Sequence, residues 1–453
     1  MLTQSIKRNE LLRCISSILD FIEDLSAKEY YSQSVAELFD AYRLALSSLN
    51  KWLVTIDSTQ LLPKHSDEIH NILIDGISTS LRYIQRSQTK YTPWSILPLI
   101  EDTVSRIYDD QRIVIRPKWR WLYQIAIKPM NIELSELLAY MCANDASVKE
   151  ACDKLQNMKR IRFVSFPIME VENYIAHILL YHEVGHLIQE EMFVGVIPDL
   201  LSKMTYDKNR GDDDDKNARQ IAVYINMFLQ EVIPDVVAYL LIGPAYYLSL
   251  FTALNYSLVK DSDKLLSRRE CSEIYMSRAT KPTYPHPPLK LRLMYLYDHY
   301  FSKDMNNKYK GYHRLSLFQK CTIRNYQQSI AEYSYREPNI EIAYNCFEII
   351  MKDVKPKIEQ KLTGLLYSGS SPENIEYLLE KLKNDIPPVE LIDGSVAEIG
   401  DVFLASFFYI YYDIIREESS PLVYCKKMKI LNKLLKFTFN GIRYKGLYNA
   451  CAT

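Results

Sequence analysis

The amino-acid sequence predicts a predominantly α-helical α+β protein, and three observations carry that expectation. Glycine is scarce, 12 in 453 residues where about 7% is usual, so tight turns are few and helices long. Apolar residues recur every three or four positions near the N-terminus, and the C-terminal third is again mainly helical in pattern. Between them lie short runs rich in β-branched and aromatic residues, Arg112-Ile113-Val114-Ile115-Arg116, Trp119 to Ile127 and Ile161 to Phe166, which suit a small sheet.

Taken in order, Leu2 to about Arg86 repeats the helical pattern, as in Leu11, Leu12, Ile15, Ile18, Leu19 and Ile22. The character changes around Tyr91-Thr92-Pro93-Trp94, where the candidate strands begin. Glu170 to Glu191 reads as a helix, and the four acids Asp212 to Asp215 as a solvated loop. Ile221 to Leu254 and Pro287 to Tyr300 read as further helices, and the remainder is broken at Gly369-Ser370-Ser371-Pro372 and Pro387-Pro388. This divides the chain into an N-terminal helical region over 1–105, a core over 106–305 and a C-terminal helical region over 306–453. One stretch approaches membrane length, the uncharged Val236 to Val259. Its internal Gly243-Pro244 and its Asn255 and Ser257 favour a buried core helix instead.

Composition excludes several classes. Apolar residues at 48% with 25% charged exclude wholesale disorder, and 55 Lys+Arg against 56 Asp+Glu argue against a globally basic nucleic-acid binder. Lys118-Trp119-Arg120-Trp121 alternates basic and aromatic residues, as any strand with two different faces would. Lys426 to Lys436 forms a basic amphipathic helix, read as a packed helix with a solvated face. The eight cysteines show no C-x-x-C pair, and Met1 to Arg13 lacks the apolar region of a secretory signal. Both point to reduced thiols and a cytoplasmic location, with membrane association not expected.

The chemistry concentrates in His182-Glu183-Val184-Gly185-His186, an H-E-x-x-H set in an apolar helix. Residues four apart share a helical face, so both imidazoles reach one tetrahedral metal. Glu183 is turned by roughly 100° and stays free to take a proton from a water on that metal. A catalytic zinc wants a third protein ligand. Gln189 and Met192 stand where a Gly and a third His at short spacing would be, and Glu190 and Glu191 follow too closely to curl back. Glu231, in the apolar segment Gln230 to Ala238, is the expected ligand. Asp235, one turn on, is placed to accept the outer N–H of a ligating histidine. Pro234 between them marks a kink or a fresh helix start. In Tyr284-Pro285-His286-Pro287-Pro288, followed by Arg292, His286 is the leading candidate to stabilise an oxyanion, with Tyr284 and Arg292 behind it.

The order H-E-x-x-H, then E-x-x-x-D, then His-Pro and Arg resembles the gluzincin metallopeptidases, and most nearly the HtpX and CAAX prenyl protease group. The resemblance spans about residues 160 to 300. It implies a zincin-like core with the small sheet beside the H-E-x-x-H helix, and Zn2+ held by His182, His186 and Glu231. It further implies Glu183 as general base, Asp235 behind the ligands, and His286 and Arg292 near the substrate. The chain lacks that group's set of membrane spans and carries long helical flanks. The expected function is therefore selective intracellular hydrolysis of a peptide bond in a protein or peptide substrate. Two alternatives stand beside it: a non-catalytic helical scaffold with a structural metal site, and a zinc amidase acting on a non-peptide substrate.

Overall fold

The first helix, α1 (Leu2–Ser26), shows how the pattern becomes packing. Its buried residues Leu11, Ile15, Ile18, Ile22 and Leu25 fall at alternating spacings of four and three, so they form one stripe. That stripe lies against α2 (Gln33–Thr55), whose Val35, Leu38, Tyr42, Leu46, Leu49 and Leu53 recur at spacings of three or four. Each such side chain contributes about 1.5–3 kcal/mol when fully buried. The structure, a computed structural model, describes residues 2–30, 33–56, 63–89, 92–93, 95–108, 112–118, 124–126, 131–141, 146–157, 161–195, 212–255, 287–316, 339–415 and 420–452. It is mostly helical, with one small sheet.

The chain divides into two compact units, Met1–Glu172 and Asn173–Thr453. The boundary falls inside the 106–305 region, so the sheet belongs to the first unit and the H-E-x-x-H helix to the second. The first unit continues with α3 (Pro63–Asn71), α4 (Ser78–Gln85) and α5 (Leu97–Ile107), followed by β1 (Arg112–Lys118) and β2 (Gln124–Ala126). Then come α6 (Asn131–Met141), α7 (Ala146–Asn157) and β3 (Ile161–Pro167). The strand order is β1-β3-β2, with β3 parallel to β1 (Val114 opposite Phe163) and antiparallel to β2 (Ile125 opposite Val164). Two of the three candidate runs are thus strands, and of Trp119 to Ile127 only Gln124–Ala126, which forms β2, lies within the described residues.

The second unit opens with 3-10 turns and then α8 (Leu179–Gly195), so the helix expected over Glu170 to Glu191 starts later. It is followed by α9 (Asp212–Ile242), α10 (Pro244–Asn255) and α11 (Leu289–Leu296). Beyond them are α12 (Ser302–Asn307), α13 (Asn339–Lys361), α14 (Pro372–Lys383), α15 (Ile399–Phe408) and α16 (Pro421–Ala452). Three expectations change here. Asp212 to Asp215 form the first turn of α9 rather than a loop, where the helix dipole favours negative charge. Pro234 lies inside the same helix, which excludes the fresh start and leaves the kink of the two readings. The uncharged stretch over 236–259 is not one helix, because Gly243, with φ +64°, ends α9 and turns the chain into α10. Asn217–Ile242 is apolar and long enough to cross a membrane, yet 78% of its most apolar window is buried within the protein. In α16, Leu431, Leu434, Leu435, Phe439 and Ile442 pack inward while Lys426, Lys429 and Lys433 stay exposed.

Candidate metal centre

The site is built where α8 and α9 cross. Buried Leu180, Tyr181, Val184, Leu187 and Ile188 anchor α8 in the interior of the second unit, and His182 and His186 project one turn apart from it. Their rings lie 4.9 Å apart, nearly perpendicular. The crossing is close because Gly185 faces the backbone of Pro234. A Cβ there would stand 2.5 Å from Pro234 Cα and 2.8 Å from its carbonyl oxygen. Glycine is therefore required between the two histidines, and the contact brings Glu231 and Asp235 of α9 to the imidazoles.

His182, His186 and Glu231 each offer a ligand atom, and these atoms lie within 4.8 Å of one another. His182 Nε2 is 3.5 Å from Glu231 Oε2. A tetrahedral shell with bonds of about 2.1 Å has edges of about 3.4 Å, so this pair already has the spacing of two ligands on one zinc. Two imidazole nitrogens and a carboxylate are a donor set zinc commonly takes. Glu183, Glu231 and Asp235 are buried acids of these two helices, and Arg292 is the buried guanidinium beside the last two.

Behind the ligands, Asp235 is fully buried and its carboxylate organises the site. His182 Nδ1 donates to Asp235 Oδ1 at 2.8 Å, which fixes the tautomer and leaves Nε2 with its lone pair free for the metal. Arg292, from α11, donates to Asp235 through Nε and Nη2, both at 2.7 Å, and its Nη1 lies 3.1 Å from Glu231 Oε2. The tyrosine hydroxyl of Tyr246, from α10, donates to Asp235 Oδ1 at 2.6 Å. On the second histidine, Nδ1 of His186 lies 3.3 Å from Gln189 Oε1, which can hold the matching tautomer there.

These contacts shift the titrations. Burial alone would depress the His182 imidazolium, but its hydrogen bonds to Asp235 and Glu231 outweigh that and push it up to about 9. Burial would raise the Asp235 carboxyl, but the Arg292 guanidinium and the His182 hydrogen bond hold it down to about 2. Tyr246 is pushed well up, by burial and by the Asp235 carboxylate.

Of the residues expected from sequence, the structure brings together His182, His186, Glu231, Asp235 and Arg292, and buries Glu183 beside them in the chain. Arg292 is turned differently from the expectation that it faces a substrate. All three of its nitrogens point to Asp235 or Glu231, so it orients acids. Tyr284 and His286 lie outside the described residues. Tyr246 and Gln189 were not anticipated as partners. The only hint of Tyr246 in the sequence is a phenol placed just after the Gly243-Pro244 break in an uncharged run, where a buried hydroxyl needs a partner.

Comparison of the chain with protein-family models, with curated proteins and with solved structures gave no match.

Proposed function

We propose that the chain is a zinc-dependent peptidase whose centre is formed by His182, His186 and Glu231. The observation that carries this reading is the convergence of those three ligand atoms from two helices, backed by Asp235 on His182 Nδ1 and followed in the chain by the buried Glu183. Zinc, when bound, supplies a Lewis acid that polarises a carbonyl and lowers the pKa of water towards about 7.

The chain's own residues then have distinct work. Asp235 holds His182 with Nε2 forward, and Arg292 holds both Asp235 and Glu231, so the ligands need little reorganisation when the ion arrives. Glu183, roughly 100° around α8 from His182, takes the proton of the attacking water and returns it to the leaving nitrogen. Its burial, at 4% exposed, suits a carboxylate that must exchange protons without competition from bulk water.

The test is a proteome-derived peptide mixture incubated with zinc-loaded protein, with new termini counted by mass spectrometry. New termini from wild type and none from Glu183→Gln are expected. Equal yields from both would refute the role of Glu183, and cleavage by neither would remove the peptidase reading.

A further inference from the structure

We infer that Tyr246 is a positioning residue of the metal centre, its hydroxyl closing a hydrogen-bonded triangle with His182 Nδ1 and Asp235 Oδ1 that keeps His182 Nε2 aimed at the ion. The inference rests on the zinc reading of the site. Tyr246 is fully buried, and its oxygen lies 2.6 Å from Asp235 Oδ1 and 3.1 Å from His182 Nδ1. An ionised carboxylate only accepts, so the phenolic proton goes to Asp235. The oxygen lone pairs then face His182, whose Nδ1–H is shared between Asp235 and Tyr246. The ring planes of Tyr246 and His182 are nearly parallel, 9° apart, with their centroids 6.5 Å apart.

This arrangement does what Asp235 alone cannot. A single acceptor lets the imidazole swing about one hydrogen bond, whereas a second oxygen 3.1 Å from the same nitrogen restricts that swing. The Gly243 turn makes this possible, because it reverses the chain at the end of α9 and returns Tyr246 to Asp235, eleven residues earlier. Arg292 supplies two further hydrogen bonds to the same carboxylate, so Asp235 keeps three donors if the phenol is lost. Removing the hydroxyl should therefore disturb the aim of His182 more than the fold.

The experiment compares wild type with Tyr246→Phe in the full chain. Zinc affinity is measured by competition with a chelator, the ligand field by the visible spectrum of the cobalt(II) form, and folding by thermal melting of the metal-free protein. A roughly tenfold loss of zinc affinity is expected, the low end of what partners of metal ligands contribute. The cobalt spectrum should change and the metal-free melting temperature should stay close to wild type. Unchanged affinity and spectrum would overturn the inference, as would an affinity loss that only follows a lowered melting temperature. Failure of wild type itself to bind zinc would overturn the zinc reading along with it. Wild-type zinc binding with an indifferent Tyr246→Phe overturns this inference alone.

Discussion

Gly185→Ala offers the sharpest perturbation of the site without touching a ligand. Two effects oppose one another. In a helix, alanine is favoured over glycine by about 1 kcal/mol. Against that, the new Cβ would stand 2.5 Å from Pro234 Cα and 2.8 Å from Pro234 O, roughly 1 Å inside ordinary carbon contact distance. The opposing atoms are backbone and cannot rotate away, so α8 and α9 must separate. Overpacking of this kind costs about 1–3 kcal/mol, which offsets the propensity gain and leaves a net loss of up to about 2 kcal/mol. At about 2–4 °C per kcal/mol, the melting temperature should fall by a few degrees. The metal site should suffer more. Glu231 and Asp235 flank Pro234 on α9, and an ~1 Å shift exceeds the ~0.5 Å tolerance of such a constellation, so zinc affinity should drop at least about tenfold. Thermal melting and chelator competition on the same samples read both effects. A Gly185→Ala protein that melts at or above wild type and keeps its zinc affinity would refute the close crossing at the centre of this account.

Further predictions follow from the buried charges and the core. Arg292→Leu leaves Asp235 and Glu231 without their guanidinium, and urea unfolding of the metal-free protein should show a loss of about 3–5 kcal/mol; a change under about 1 kcal/mol would contradict the pairing. His182 is raised in the fold from 6.5 to about 9, so its contribution to metal-free stability is fully present below about 6.5 and is lost as pH rises through 9. Asp235 is lowered from 3.8 to about 2, so its contribution is present above about 4 and is lost as pH falls through 2. Urea midpoints against pH should therefore weaken at both ends, and substitution of either residue should flatten the corresponding limb. Zinc uptake near pH 7 must displace the His182 proton, so titration calorimetry in buffers of different ionisation enthalpy should register proton release; buffer-independent heats would contradict it. Phe347 is fully buried against Phe228, Tyr295 and Tyr344, so Phe347→Ala should cost about 3–5 kcal/mol in the same unfolding assay.

Much of this fold is visible in residue spacing because its elements are long and obey local rules. The stripe from Leu11 to Leu25 and the three strand runs needed no knowledge of distant partners. The site was legible to the extent that it was helical: a fixed four-residue spacing puts His182 above His186, and Glu231 above Asp235. What spacing could not supply was how α8 meets α9. That depends on Gly185 lying against Pro234, a contact 49 residues apart that neither residue announces. For the same reason Tyr246 stayed hidden, since its role depends on the turn at Gly243. Arg292 was misdirected by motif order, which says that an arginine is near but not which way its head group faces. The acids from Asp212 to Asp215 show a local rule with two outcomes, because four acids suit a solvated loop and a helix N-terminus equally well.

The most direct test of the account is metal content by mass spectrometry on untagged protein, comparing wild type, Glu231→Ala and Glu183→Gln after zinc is supplied. The account predicts about one zinc per chain in wild type, its loss in Glu231→Ala and its retention in Glu183→Gln. Wild type without stoichiometric metal, or Glu231→Ala that still holds it as tightly, would contradict the centre described here.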